Sequence, residues 1–257
     1  MKLSVTQSCR RVLAALAVVC LLAGCASAPG ADPRDPWESY NRSMTKFNTA
    51  VDDAVLKPVA TAYKTVTPSV VRTGVGNFFA NLGDVWSFVN NVLQAKPEAS
   101  LSSFWRVVVN TTMGLGGVLD PATDMRLTRY SEDFGQTLGY WGMPAGPYLV
   151  LPLMGPSTLR DTAALPADWY GRPVNYVSDV PVRNTLSVVQ FVDTRARLLS
   201  VTDLLEQGAL DPYSFQRDVF LQLRRNQVYD GNPPPEPEPA HENDAAPGDG
   251  APASPSP

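Results

Sequence analysis

The chain has 257 residues, with 21 Lys and Arg residues against 25 Asp and Glu residues and a formal net charge of −4. Its one histidine, His241, lies in a proline-rich tail, and its cysteines, Cys9, Cys20 and Cys25, all lie near the N-terminus. The middle of the chain therefore has neither imidazole nor thiol, which excludes Cys/His zinc sites and Ser–His–Asp or Cys–His catalysis there. That near-neutral middle also lacks the basic face that nucleic-acid binding requires.

Residues 1–24 have the three parts of a secretory signal peptide: a basic start, an apolar run and a small-residue exit. The apolar run, residues 12–23, is shorter than the roughly 20 residues of a membrane-spanning helix. It ends in Leu-Ala-Gly-Cys at residues 22–25, which resembles the lipobox of bacterial lipoproteins. This resemblance implies cleavage before Cys25 and a lipid anchor on its thiol. Because Ala26 stands where inner-membrane lipoproteins typically have aspartate, the outer membrane, facing the periplasm, is the expected location.

Composition divides the mature chain into three parts. Residues 25–36, rich in small residues and proline, predict a tether, and residues 37–229 carry the patterned sequence of one folded domain. Residues 230–257 contain nine prolines, six acids and no Lys or Arg. Such a segment buries too little apolar area to offset the entropy of ordering, so a disordered tail is predicted.

Apolar residues spaced by three and four predict helices through the domain. The first carries Trp37, Phe47 and Val55 on one face and is expected to stop at Pro58. Further helices are predicted over residues 71–82, 85–93, 97–109, 131–141, 181–199 and 211–228. No run of alternating strands is present, so the predicted fold class is all-α with irregular Pro- and Gly-rich connections.

The segment Phe134–Leu159 contains no charged residue. Its length suits a membrane span, but four prolines exclude one regular helix, and irregular backbone is not viable when exposed to lipid. Three placements remain open: a buried loop that crosses the core, a segment at the membrane interface, and the wall of a cavity. Composition alone does not choose among them.

The same segment resembles the signature block of the MlaA/VacJ lipoprotein family. The matching motifs are FGQTLGYWG at residues 134–142, GPY at 146–148 and GPSTLRD at 155–161, with DPWE at 35–38 and DPY at 211–213 outside the block. They occur in family order, with family-like gaps, over about residues 35–229. Several linked motifs make the resemblance specific. Two parts depart from the family pattern: the long proline-rich tail, and Lys46 beside Phe47, which places a charge on the opening helix.

The resemblance implies a compact, ring-like helical body embedded in the inner leaflet of the outer membrane, with an amphipathic channel through its middle. Phospholipid misplaced in the outer leaflet is expected to leave through this channel and pass to a soluble periplasmic carrier, which maintains lipid asymmetry. A trimeric porin is the expected membrane partner. No cofactor, metal or catalytic residue is implied.

Two sets of residues are candidates for this task. The lining or gate of the channel is expected to include Asn41, Phe47, Asn48 and Tyr148. Lipid phosphate is expected to meet Arg42, Arg160 or Arg195. A guanidinium pairs with phosphate in a two-pronged geometry, although each of these arginines is equally suited to a structural ion pair.

Two other classes of function remain open at this stage. A periplasmic enzyme acting on the cell wall would use one acid, and the candidates are Glu38, Glu98, Glu132 and Glu206. A passive assembly factor for outer-membrane proteins would need no reactive group. The glycines at residues 114–117 predict a turn and not a phosphate-binding loop, because neither a preceding strand nor a following Lys-Ser/Thr is present.

Overall fold

A computed structural model describes residues 32–208 and 210–235, with only the backbone for residues 203–208. The predicted signal peptide, the lipidation site Cys25, most of the tether and the tail after Pro235 lie outside the described residues.

Helices joined by short irregular connections make up most of the described chain. In order, the elements are α1 Glu38–Val51, a π-helical segment Asp52–Leu56, α2 Lys57–Val66, α3 Ser69–Leu93, α4 Pro97–Thr112, α5 Pro121–Asp124, α6 Phe134–Tyr140, β1 Tyr148–Leu151, β2 Gly155–Thr158, α7 Leu159–Gly171, a 3₁₀ turn Pro173–Tyr176, α8 Val180–Gly208 and α9 Pro212–Val228. The predicted all-α class is confirmed. Within the described residues, no helix combines the length and apolarity needed to cross a bilayer.

The first helix does not stop at Pro58, so that prediction was wrong. Helix α1, the π-helical segment and α2 form one unbroken helical run through the proline. In a regular α-helix the proline ring would collide with the carbonyl four residues earlier, and one hydrogen bond would be lost. The wider π turn directly before Pro58 relieves that collision, so the helix continues.

The helical predictions for the centre and end of the chain are confirmed, with changed bounds: α3 and α8 are longer than predicted, and α6 is shorter. The two apolar series of residues 71–82 and 85–93 belong to a single helix, α3. Helix α4 opens at Pro97 and ends before the glycine turn, where Gly116 and Gly117 have φ values of 72° and 94°.

The uncharged segment folds into a short helix and a hairpin. Asp133 caps α6, because its Oδ1 accepts a hydrogen bond from the backbone N–H of Gln136 at 2.9 Å. Strands β1 and β2 then pair antiparallel, with Tyr148 opposite Thr158. The sequence did not predict this hairpin, since strands of four residues give too short an alternation to detect.

Polar side chains dominate the interior. Among the described residues, 20 buried side chains are polar or charged and 12 are apolar, five of these being alanine. Large apolar side chains lie outside instead: Trp105, Trp141 and Leu115 are 50%, 67% and 73% exposed. This distribution is the reverse of an ordinary water-soluble domain, in which large apolar residues fill the core.

Contacts between elements close into a circuit. Helix α1 packs on β1, and α2 on α8; α8 packs on α3, α3 on α6, α6 on α7, and α7 on β2, which pairs with β1. The unbroken run through α1 and α2 joins the two ends. This closed path is the ring-like arrangement that was expected.

The packed body begins before Trp37 and extends past Tyr229. Asp35 has no exposed surface, and Asp230 accepts a hydrogen bond from Lys96 Nζ at 2.7 Å. The last residues assigned to the tether and the first of the tail are therefore part of the folded body.

Candidate functional site

Two asparagines of α1 hold the hairpin. Asn41 Nδ2 donates to the carbonyl of Tyr148 at 3.0 Å, and its Oδ1 accepts from the N–H of Val150 at 2.8 Å. Asn48 Nδ2 donates to the carbonyl of Leu151 at 2.9 Å, and its Oδ1 accepts from the N–H of Leu153 at 2.8 Å. Seven positions correspond to two helical turns, so both amides lie on one face of α1. They satisfy the free edge of β1 as a third strand would.

Phe47, next to this clamp, is 49% exposed. The hairpin turn is also apolar and exposed: Leu153 and Met154 are 56% and 62% accessible, and Leu153 has a left-handed φ of 62°. The expected gate pair of Phe47 and Asn48 therefore lies at the contact between α1 and the hairpin, and Asn48 fixes the position of the turn.

Asn41 and Tyr148 lie in the interior, not on a cavity wall, which differs from the expected lining. Both have no exposed surface. The Tyr148 ring lies 6.3 Å from the Tyr213 ring and 6.0 Å from the Phe220 ring. Burial raises the pKa of the Tyr148 hydroxyl well above its ordinary value. In this conformation the two residues join α1, β1 and α9.

Asp35, which sequence reasoning did not select, organises the same junction. Its carboxylate accepts hydrogen bonds from Asn41 Nδ2 at 2.8 Å, from the Tyr213 hydroxyl and from Arg217 Nη1 at 3.4 Å. The carbonyl of the preceding Arg34 accepts from the N–H of Tyr148 at 2.8 Å. We call residues 32–36 the docked leader. Its only sequence signal was the position of Asp35 in the DPWE motif.

All three candidate phosphate-binding arginines have carboxylate partners. Arg42 contacts Asp211 at 2.6 Å and Glu38 at 2.7 Å. In the described structure, these ion pairs give the arginines structural roles. Their contact with lipid phosphate stays a prediction.

The other two arginines differ in their surroundings. Arg195 makes a two-pronged pair with Asp52, with both distances 2.6 Å, and so joins α8 to the π-helical segment. Arg160 contacts Asp161 at 3.0 Å and lines an open cleft. Arg160 is therefore the one of the three that the structure places beside a space large enough for a ligand.

This cleft has a volume of about 1330 Å³, whereas sites for small molecules typically measure about 300–1,000 Å³. Its walls come from the uncharged loop 142–147, from α9 and from the docked leader. Met143, Leu223 and Val228 supply apolar surface, and Arg160 and Gln222 supply polar surface. A cavity of this mixed character suits an amphipathic ligand.

Arg224 fixes one wall of the cleft. Its guanidinium contacts Asp133 at 2.6 Å and Asp161 at 2.8 Å. Burial opposes ionisation of Asp133, but the Arg224 contacts outweigh it and lower the pKa of that carboxyl. One side chain thus ties α9 to the starts of α6 and α7.

A second buried network holds α4. Arg106, whose side chain is 2% exposed, contacts Asp84 at 3.3 Å and Asp120 at 2.9 Å. Asp120 also accepts from Asn110 Nδ2 at 2.8 Å and caps α5 through the N–H of Thr123. Among the residues that the structure describes, no group of three or more His, Cys, Asp or Glu side chains is arranged to hold a metal ion.

The model of the MlaA lipoprotein family matches residues 33–227. The chain belongs to this family.

Relatives that bear the name MlaA are similar to this chain over most of its length. The chain is 37% identical over 218 residues to the intermembrane phospholipid transport system lipoprotein MlaA of Escherichia coli, covering 82% of this chain and 86% of that protein. It is 32% identical over 238 residues to the MlaA of Haemophilus influenzae, covering 86% and 92%. A solved structure concerning the maintenance of bacterial outer membrane lipid asymmetry superposes with a TM-score of 0.67 at 35% identity, covering 76% of this chain and 98% of that one.

Proposed function

We propose that this protein removes mislocalised phospholipid from the outer leaflet of the outer membrane through an amphipathic channel and passes it to a soluble periplasmic carrier, so maintaining lipid asymmetry. The relatives from Escherichia coli and Haemophilus influenzae, which bear the name of an intermembrane phospholipid transport system, support this proposal. No covalent step is needed, which agrees with a central chain that lacks histidine and cysteine.

The reversed distribution of polar and apolar side chains carries the proposal. A phospholipid with roughly 30 methylenes costs on the order of 25 kcal/mol to expose to water, at about 0.8 kcal/mol each. A transfer protein must therefore offer the tails a continuous apolar surface and the headgroup a polar one. The exposed apolar side chains of the exterior supply the first kind of surface, and the mixed walls of the large cleft supply the second.

We propose that α4 and the start of the uncharged loop face the inner leaflet. On α4, Leu101, Phe104 and Trp105 are 60%, 43% and 50% exposed. Trp141, 67% exposed, donates its indole N–H to the carbonyl of Leu93 at 3.0 Å. Tryptophan rings settle at the headgroup level of a bilayer, so these side chains suit a body that lies in one leaflet without spanning the membrane.

We propose that the acyl tails move past the exposed Phe47 side chain, and that the hairpin held by Asn48 limits access to the channel. The cleft beside Arg160 receives the headgroup. Acylation of Cys25 anchors the body, a trimeric porin provides the membrane partner, and a soluble carrier accepts the lipid.

Two of the four candidate acids, Glu132 and Glu38, have structural roles that do not favour the enzyme alternative. Glu132 is buried, accepts from Gln94 Nε2 at 2.9 Å and lies 3.6 Å from Lys96 Nζ. Glu38 is paired with Arg42. Both carboxylates hold the fold in place.

The test is photocrosslinking in cells, with a photoreactive residue at Phe47 and a matched control at Thr185, an exposed position of α8. Phospholipid captured at residue 47 and not at residue 185 is the expected result. Deletion of the gene should raise surface phospholipid while porins remain folded. Normal lipid asymmetry after deletion, or misfolded porins as the only defect, would reject the proposal and favour an assembly factor.

A further inference from the structure

A second, smaller cleft lies at the corner where α2 passes into α3, away from the large cleft. It has a volume of about 360 Å³ and is lined by Lys64, Ser69, Arg72, Thr73, Asp193, Ala196 and Arg197. This lining contains three cationic side chains and one carboxylate, so its net charge is +2.

The single carboxylate is already fully engaged. Asp193 is buried, and its Oδ1 accepts from the Tyr63 hydroxyl at 3.0 Å while its Oδ2 accepts from Arg197 Nε at 2.9 Å. Asp193 therefore neutralises Arg197 and leaves Lys64 and Arg72 without a carboxylate partner in the described structure. Arg42, Arg160 and Arg195, in contrast, each contact a carboxylate.

The position of Arg72 is fixed by backbone contacts. Its Nη1 donates to the carbonyls of Lys64 and Thr67, the latter at 2.8 Å, at the C-terminus of α2. Arg197 Nη2 donates to the carbonyl of Arg72 at 3.1 Å. The guanidinium is thus held in place before any ligand arrives, while its charge remains available to an anion.

Hydroxyl donors and apolar side chains surround these cations. Ser69 and Thr73 lie in the first turns of α3 and are among the residues that line the cleft. Val66 and Val70, at the apex of the corner, are each 81% exposed. Cations that flank exposed apolar side chains are the arrangement by which proteins bind anionic lipid at a membrane surface.

We propose that this corner binds a phosphate group, carried either by an anionic phospholipid headgroup or by free phosphate. Lys64 and Arg72 neutralise the anion, and the hydroxyls of Ser69 and Thr73 donate to its oxygens. The site is separate from the proposed transport path, because it shares no lining residue with the large cleft.

Calorimetric titration of the purified full-length lipoprotein in neutral detergent tests this site with two probes, inorganic phosphate and dihexanoyl phosphatidylglycerol. Lys64→Gln is the variant, since Lys64 is exposed and its loss should leave the fold intact. Lys46→Gln, an exposed lysine of α1 outside the cleft, is the matched control. One cation near an anionic lipid contributes about fivefold in affinity, so Lys64→Gln should weaken binding about fivefold and Lys46→Gln should not.

The two probes identify the source of the phosphate. Equal affinity for both, with the same loss in Lys64→Gln, assigns the site to the phosphate group alone. Binding of the lipid but not of inorganic phosphate, again weakened in Lys64→Gln, assigns it to a headgroup. If neither probe binds, the proposal is overturned. Lipid binding that is insensitive to Lys64 also overturns it, and leaves the transport function untouched.

Discussion

Single amide side chains position the hairpin against α1. Asn48 satisfies both a donor and an acceptor of the turn, and Asn41 does the same for β1. An asparagine side chain carries the same carbonyl and N–H groups as the backbone, so it can replace a strand partner. Pairing through the side chain leaves α1 free to remain a helix.

Asn48→Ala should loosen the hairpin turn. Two hydrogen bonds to backbone groups are lost, and each contributes about 0.5–1.5 kcal/mol. We expect the free energy of unfolding to fall by about 1–3 kcal/mol and the amide of Leu153 to exchange faster with solvent. Hydrogen exchange measured by mass spectrometry checks this. Thr49→Ala, a neighbouring exposed position, is the control, and equal exchange in the two variants would contradict the role of Asn48.

The network around Asp120 should make the protein sensitive to acid. Burial raises the pKa of Asp120, but hydrogen bonds from Thr123, Asn110 and Arg106 more than offset this and lower it to about 2. An unfolded aspartate titrates near pH 3.9. The folded pKa is the lower of the two, so the stabilisation is present above about pH 4 and is lost as the pH falls towards 2.

Replacement of this carboxylate should remove that dependence. Asp120→Asn is expected to reduce stability at pH 7 and to flatten the change of unfolding free energy between about pH 4 and pH 2. Denaturant titrations at several pH values provide the measurement. Asp124→Asn, an exposed carboxylate on the same short helix, should leave the slope unchanged. A variant at Asp120 with the wild-type slope would place the acid sensitivity elsewhere.

At the scale of elements, one close helix crossing depends on a glycine. A Cβ added at Gly139 of α6 would lie 2.6 Å from Arg160 Nη1 and 2.9 Å from a methyl carbon of Val228 on α9. Substitution would therefore push α6 away from α9, beside the large cleft. A Cβ added at Gly83 of α3 meets no atom within 4 Å.

Gly139→Ala and Gly83→Ala should have opposite effects. Overpacking at the crossing should cost about 1–3 kcal/mol of stability. Replacing an open helical glycine by alanine should instead stabilise α3 by about 0.5–1 kcal/mol. Thermal unfolding in detergent compares the two variants. If Gly139→Ala does not lower the melting temperature, the α6–α9 crossing is less tight than the structure indicates.

Sequence patterns predicted these elements unevenly, for physical reasons. The start of α9 at Asp211 and the cap of α6 at Asp133 were predictable, because caps are local interactions. The π turn that carries the helix through Pro58 was not, since it depends on how α1 and α2 are held at both ends. Asp35 was missed because two of its three partners, Tyr213 and Arg217, lie far along the chain.

For the whole molecule, the exposed aromatic surface should determine membrane affinity. Trp105→Glu places a charge where an aromatic ring settles in the interface, so partitioning into phospholipid vesicles should weaken by about tenfold. Trp105→Phe keeps an aromatic side chain and should bind nearly as the native protein does. Quenching of the remaining tryptophans by brominated lipid reports the partitioning. Equal binding of both variants would show that α4 faces away from the bilayer.

The large-scale arrangement was partly predictable. The helical class followed from periodicity, and the ring was implied by the family motifs. The polar interior was not foreseen, because Asn90, Asn91 and Ser103 occur on helix faces that a periodic pattern treats as solvated. Tyr148 was likewise expected to line the channel, because the sequence does not show that its ring packs against Tyr213 and Phe220.

The docked leader limits the distance between the folded body and a lipid anchor on Cys25. Cys25 precedes Asp32 by seven residues, and a fully extended chain spans at most about 3.3–3.6 Å per residue. If Cys25 is acylated as proposed, its acyl chains are tethered within roughly 25 Å of Asp32, the first residue of the docked leader. Such a short linker restricts the rotation of the folded body relative to the membrane, so the protein should present one constant side to the lipid bilayer.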